Sequence, residues 1–284
     1  MSWLHADAPH GHIGAPAESA GRKGNIGRNI GPAAGAVGLG LIVPLALLAA
    51  WTLSALADWL PEQILPPPWV VYDTLRDGIQ DGSLLSSTVT SLRRVAEGFA
   101  AGALAGLTLG VLIGLSKTLR QFVDPLFLAL SQVPTLGWLP IMVLFVGLDE
   151  SLKVVVIGWS AFIPVVLNTA QGVREVPQAY AELGRVLSFS PWSKLTTIVL
   201  PSAVPSIFTG LREGLANSWQ TLVAVELIAS FEGLGYLMAY GRQLFQLELV
   251  LAAMIVVGAI GLLIHGSLTL IEHRLQRWQS EIKR

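Results

Sequence analysis

Residues 210–230, "GLREGLANSWQTLVAVELIAS", place Arg212, Glu213, Asn217, Gln220 and Thr221 inside a run that is otherwise apolar. Asn217, Gln220 and Thr221 fall on one helical face by their i, i+3 and i+4 spacing, with Glu213 one turn before Asn217. Burying such groups unpaired in lipid is costly, so a polar stripe within a span is a candidate for contact with a solute. The stripe is expected to point into a helix bundle. Amides and a hydroxyl supply hydrogen bonds and Arg212 supplies positive charge, so Arg212, Asn217, Gln220 and Thr221, together with Asn168, form the candidate substrate path. Asn168, Glu97 and His265 each stand alone in their own segments, where an interhelical hydrogen bond is more common than contact with a solute, so they rank below the stripe.

Other chemistries lack their residues. There are no cysteines, which removes disulfides, thiolate metal sites and a Cys nucleophile. No HExxH motif, no Ser/His/Asp order in a loop and no paired carboxylates in a plausible pocket are found. "GVLIGLSKT" (110–118) superficially resembles a phosphate loop, but Leu115 and Ser116 separate the glycine from the lysine, and an apolar helix precedes it rather than a strand. Any energy from ATP must therefore come from another chain. His5, His10 and His12 lie in a polar N-terminal stretch with no fold to fix a metal geometry. No catalytic, metal or cofactor residue is assigned to this chain.

The elements that must carry the stripe are membrane helices. The 284 residues are 52% hydrophobic and 13% charged, with mean hydropathy +0.61 and formal net charge −1. That balance is a membrane protein's and offers no basic field to nucleic acid. Spanning the hydrocarbon core takes roughly 20 mostly apolar helical residues. Six segments qualify: 34–57, 95–115, 152–171, 202–227, 249–271, and 124–147, the last interrupted by Pro134, Gly137 and Pro140 and so expected to be kinked or partly re-entrant. Residues 1–32 are expected to form a disordered cytosolic tail and 33–284 the transmembrane domain, with its core at about 85–275.

With both termini inside, the cytoplasmic side holds Arg22, Lys23, Arg28, Lys117, Arg120, Arg174, Arg185, Lys194, Arg274, Arg277, Lys283 and Arg284. Arg76, Arg93, Arg94, Lys153 and Arg242 fall outside, a ratio of 12 to 5. Gly98, Gly102, Gly106, Gly110 and Gly114 recur at intervals of four, forming an inclined groove suited to close intramolecular helix packing.

Between two apolar stretches, "AELGRVLSFSPWSKLTTIVLP" (181–201) carries Glu182, Arg185, Ser188, Ser190, Ser193 and Lys194. Pro177 suits a first helical turn, and Tyr180, Leu183 and Leu187 form an apolar stripe, so the segment reads as a short amphipathic cytosolic helix. "SPWS" is expected to turn the chain, with Pro201 and Pro205 opening the next span. With Arg185 as the single basic residue before its turn, this helix suits a protein groove slightly better than a lipid surface.

This segment resembles the cytoplasmic signature of binding-protein-dependent ABC importer permeases: Glu-Ala-Ala, three residues, Gly, nine residues, Ile, any residue, Leu-Pro. Glu182, Ile198, Leu200 and Pro201 match it at the right spacing, Leu183 and Gly184 replace the alanines, and Ser188 stands where the family has glycine. "LPPPWVVYDTL" (65–75), "DPLFLALSQVPTLGWLPIMVLFVGLDE" (124–150), "LPSAVPSIFTGLREGLANSWQTLVAVELI" (200–228) and "GLGYLMAYGRQLF" (233–245) are similar to the nitrate, sulfonate and taurine branch, closest to the aliphatic sulfonate permeases, over about residues 60–278.

The resemblance implies an all-α integral membrane protein of six transmembrane helices, in the type I ABC importer permease fold with a cytoplasmic coupling helix. It further implies a homodimer in a bacterial inner membrane, a separate ATPase dimer that holds ATP and Mg, and a periplasmic substrate-binding protein. Tyr180, Glu182, Leu183, Gly184, Leu187, Ser188 and Pro201 would then couple to the ATPase. The solute would be an aliphatic sulfonate or, within the branch, nitrate, taurine, bicarbonate or a vitamin precursor. A self-sufficient secondary transporter or channel is the alternative, but it calls for coupling carboxylates in several spans, and only Glu97, Glu213 and Glu226 are present.

Overall fold

The computed structural model describes residues 33–176, 180, 182 and 186–275, and among these the regular structure is entirely helical. The tail 1–32 with His5, His10 and His12, and Leu183 and Gly184 of the candidate coupling segment, lie outside the described residues. The chain divides into two compact units, Met1–Ala49 and Ala50–Arg284. The first contributes the start of α1 (Ala33–Leu56), and the site lies in the second.

After α1 come α2 (Pro68–Gln80), α3 (Ser83–Leu115), α4 (Lys117–Ser131), α5 (Leu139–Val146), α6 (Glu150–Arg174), α7 (Pro191–Ala229), α8 (Leu234–Gln243) and α9 (Leu247–Leu275). Pro68 opens α2 at a position where a missing N–H costs nothing. Gly82, at φ +78, lets the chain turn into α3, and the Asp81 carboxylate accepts the Ser83 N–H at 2.8 Å, a bond that holds the Asp81 carboxyl below its usual pKa. The polar stretch Ser83–Arg94 is thus helical and lengthens the segment expected at 95–115, because hydropathy marks only the part of a helix that lipid surrounds.

Among the described residues four helices are long and apolar enough to cross a membrane: α3, α6, α7 and α9. α4 and the stretch Thr135–Val146 add a fifth if counted as one span bent by 96°. That bend is the interruption expected from Pro134, Gly137 and Pro140, and a short 3-10 turn, Thr135–Trp138, fills it. Six spans are not all seen. α1 (Ala33–Leu56) is apolar along its 24 residues and about 36 Å long at the helical rise, and it is left out of the four because its side chains are described only from Ile42 onward. "SPWS" also departs from expectation, because it starts a helix instead of a turn. The Ser190 side chain caps α7 by accepting the Ser193 N–H at 3.2 Å, and Pro191 takes the first helical position. Leu195–Val199 then forms a π turn in which the Leu200 N–H reaches Leu195 O, directly before Pro201, which has no N–H to donate.

α6 is packed between α3 and α7. A Cβ on Gly102 would collide with the Gly158 carbonyl of α6, and one on Gly98, Gly106, Gly110 or Gly114 would meet α6 atoms at 2.6–2.9 Å. The four-residue glycine repeat is therefore the intramolecular seam it was read as. On the opposite side, Gly210 and Gly214 of α7 approach Pro164, Val165, Asn168 and Ala161, and Gly172 of α6 approaches Ser206 and Ala203. Ala at 102 would force the two backbones apart, so Gly102→Ala is expected to cost about 1–3 kcal/mol or to prevent folding. A Cβ at Gly258 meets nothing within 4 Å, so Gly258→Ala should be neutral or stabilise by about 0.5–1 kcal/mol. Thermal unfolding of the purified variants in detergent checks both.

Candidate functional site

Polar side chains gather at three places among the described residues. The first is the polar segment before α7. Tyr180, Glu182 and Val186 are helical, and Ser188 has φ +51, in the left-handed region that favours glycine. A serine here thus adopts the backbone for which glycine is suited, at a cost of about 1–2 kcal/mol. Tyr180, Leu187 and Phe189 form an apolar hollow of about 320 Å³ with Thr197, Ile198 and Ser202 of α7. Val186 at 81% and Trp192 at 72% remain exposed. Glu182 is exposed and Pro201 lies in the first turns of α7. This side of the molecule presents large apolar side chains beside an acid, with the backbone firmly turned at Ser188.

The second feature is a cavity of about 340 Å³ lined by Pro134, Thr135, Leu136, Asn217, Gln220, Thr221 and Ala224. Asn217, Gln220 and Thr221 are brought together as their spacing implied. In the single chain, though, Asn217 and Gln220 are exposed while Gly214, Ser218, Leu222 and Val225 are buried. Asn217 and Gln220 therefore face an open hollow while Thr221, the third member of the stripe, is buried, because the glycines claim the inward face of α7 for α6. The bend between α4 and α5 forms the other wall. It is held by edge-to-face contact of Trp138 with Trp159 of α6, ring centroids 6.0 Å apart, and the stack continues through Phe162 to Phe127.

Arg212 and Asn168 lie elsewhere. The Arg212 guanidinium donates to Glu272 of α9 at 2.6 Å and lines a separate hollow of about 250 Å³ with Trp219, Gln220 and His265. The Asn168 amide donates to Pro164 O at 2.9 Å and to Glu213 at 3.0 Å, linking α6 to α7. Glu97 pairs with Arg93 one turn away at 3.0 Å. Among the described residues, those lining the 340 Å³ cavity offer only neutral donors and acceptors.

The third feature was not read from the sequence. At the end of the helices remote from Ser190, Arg94 of α3 is 1% exposed and Glu226 of α7 is fully buried. Arg94 grips Glu150 of α6 with two bonds at 2.7 and 2.8 Å, and its Nη1 donates to Glu226 and to Glu232 O, both at 2.7 Å. Glu226 also accepts from the Ser91 hydroxyl and the Gly235 N–H, at 2.9 Å each, and Lys153 donates to Glu150. Gly233, at φ +104, and Gly235 wrap this carboxylate so closely that a Cβ on either would strike Glu226. In the count of basic residues Arg94 and Lys153 enter only as charges on the external side. The available signal was oppositely charged residues at corresponding ends of different apolar segments.

Residues 102–277 match the family model described as binding-protein-dependent transport system inner membrane component. The chain is 34% identical to the putative aliphatic sulfonates transport permease protein of Bacillus subtilis (strain 168), over 85% of this chain and 87% of that protein. It is 38% identical to the nitrate import permease protein of Synechocystis sp., over 75% of this chain and 78% of that protein. Its fold is shared with a chain of the inward-facing MetNI methionine ABC transporter, at TM-score 0.60 and 17% identity, over 68% of this chain and 96% of that one.

Two substitutions test these arrangements. Ser188→Gly should stabilise the chain by about 1 kcal/mol by removing left-handed strain. Glu226→Gln, which leaves Arg94 short of a buried counter-charge, should cost about 3–5 kcal/mol. Chemical or thermal unfolding in detergent reads both.

Proposed function

The chain belongs to the family of binding-protein-dependent transport system inner membrane components, and from that premise we propose that it moves a small organic anion, in the first instance an aliphatic sulfonate, across a bacterial inner membrane. As a member of that family it is the multi-pass permease subunit of an ABC-type importer for a small solute, and not itself an enzyme. Among the described residues no group of three or more His, Asp or Glu could hold a metal ion. In the proposed assembly two copies pair, each with α1 as its sixth span and both termini in the cytoplasm. A separate ATPase dimer binds ATP and Mg, and a periplasmic binding protein delivers the solute.

The observation that carries the reading is the cavity of Asn217, Gln220 and Thr221 beside the bent α4–α5 pair. It opens from the single chain, as half of a passage completed by a second copy must. Its neutral hydrogen-bonding groups can hold the oxygens of a sulfonate or nitrate without a fixed counter-charge. Arg212 and Asn168 act in this scheme by positioning α7 against α9 and α6.

The segment carrying Tyr180, Glu182, Leu183, Gly184, Leu187 and Ser188, with Pro201 behind it, docks on the ATPase. Exposed Val186 and Trp192 and the turn at Ser188 support that role.

Reconstitution of the permease with its ATPase and binding protein in liposomes, followed by uptake of labelled alkanesulfonate and of nitrate, tests the proposal. ATP- and binding-protein-dependent sulfonate uptake is expected, and uptake by the permease alone would overturn the importer assignment. Each hydrogen bond to a charged group contributes about 1.5–3 kcal/mol. The Asn217→Leu/Gln220→Leu double variant should therefore cut uptake at least tenfold while the ATPase still co-purifies. Glu182→Arg should give the reverse pattern, a folded permease that loses its ATPase.

A further inference from the structure

The uncovered side of α2 has two faces of different chemistry. Val71, at 1% exposure, marks its buried face, and α2 packs on α3 and α9, both long enough to span a membrane. At 100° per residue the exposed positions fall into two adjoining arcs. One holds Ile79, Tyr72, Arg76 and Trp69, and the other holds Gln80, Asp73 and Asp77. Ile79, Tyr72 and Trp69 are 63%, 66% and 47% exposed, a large apolar area for water to cover on a 13-residue helix.

We propose that α2 lies flat in the membrane–water interface and binds phospholipid headgroups through Trp69, Tyr72, Arg76 and Ile79. Aromatic rings with one polar edge settle at the headgroup level, and an arginine among them meets the lipid phosphate. Asp73 and Asp77, on the adjoining arc, are repelled by the same phosphates and turn to water, which fixes the roll of the helix. The position of α2 is set by the spans beside it. Trp51 Nε1, near the end of α1, donates to Pro66 O at 3.0 Å, immediately before the helix, and α3 begins three residues after its end. α2 thus sits directly beside α3 and α9, two of the helices long and apolar enough to cross a membrane. The inference rests on the chain spanning a membrane and does not depend on the solute or on the ATPase contact.

Because the chain has no cysteine, single reporters can be placed without other changes. Tyr72→Cys, Ile79→Cys, Asp73→Cys and Asp77→Cys, all at exposed positions, are spin-labelled and reconstituted in vesicles of phosphatidylethanolamine and phosphatidylglycerol. Collision with oxygen, which concentrates in lipid, is compared with collision with a water-soluble nickel chelate. Labels at 72 and 79 are expected to favour oxygen severalfold, and those at 73 and 77 to favour nickel. If all four favour nickel, the helix lies in water and the proposal fails. If 72 and 79 are shielded from both reagents, a protein partner covers the face and it also fails. Adding Arg76→Glu to the Tyr72→Cys variant should shift that label toward nickel, and an unchanged ratio would overturn the headgroup contact.

Discussion

Direct backbone contact along α6 is the constraint on which the other features rest. Lipid provides no hydrophobic drive for helices to associate, so packing and interhelical hydrogen bonds must do it. α6 meets α3 at Gly102 and Gly158 and meets α7 at Gly210 and Gly214, with no side chain between the backbones at the closest points. Three helices fixed this closely leave little freedom to slide. The seam sets which face of α7 turns inward, and so leaves Asn217 and Gln220 on the open side. It also brings the ends of α3, α6 and α7 near enough for Arg94, Glu150 and Glu226 to bond directly. A methyl group's width of separation at the seam would break both consequences together.

α7 runs through all three features. It starts at Ser190 beside the proposed docking segment, carries the cavity residues in its second half and ends just past Glu226. From Pro191 to Gln220 the helical rise gives about 44 Å, so a displacement at its start reaches the cavity along one continuous element. The π turn at Leu195–Val199 is the point where that element departs from regular α-helix, next to Pro201. At the far end the knot around Glu226 binds the 232–235 loop to α3 through Glu232 O, Leu234 N and Gly235 N, so α7, α3 and the start of α8 are tied into one unit. Glu150, whose side chain is 54% exposed, is the part of the knot that water can reach.

What could be read from the sequence followed from local rules. Glycines at intervals of four, prolines within an apolar run and the i, i+3, i+4 stripe are short-range patterns, and the seam, the 96° bend and the grouping of Asn217, Gln220 and Thr221 match them. The turn at Ser188 was legible only as a question, since serine adopts left-handed backbone at a cost that a residue type does not reveal. The knot was hidden because its partners are far apart in sequence. Arg94 and Glu226 are 132 residues apart, and each alone resembles a charge at the edge of a span. Arg212 shows the same limit in reverse. It looked like a charge offered to a solute, and Glu272, 60 residues on, had already taken it.

That pairing bears on how a passage of this kind can work. A guanidinium in the cavity would attract an anion strongly where water is scarce, and the same attraction would hold it there. Conduction needs binding favourable enough to admit a solute and weak enough to release it. In the proposed scheme, a wall of one asparagine, one glutamine and two threonines meets that need for an oxyanion, since each bond is modest and can be exchanged for water. Arg212, paired with Glu272, ties α7 to α9 and does not line the 340 Å³ cavity. In the proposed scheme, selectivity comes from a partner that binds the solute before it enters. The proposed binding protein has that place, and the relatives' differing solutes are compatible with a wall that does not itself discriminate.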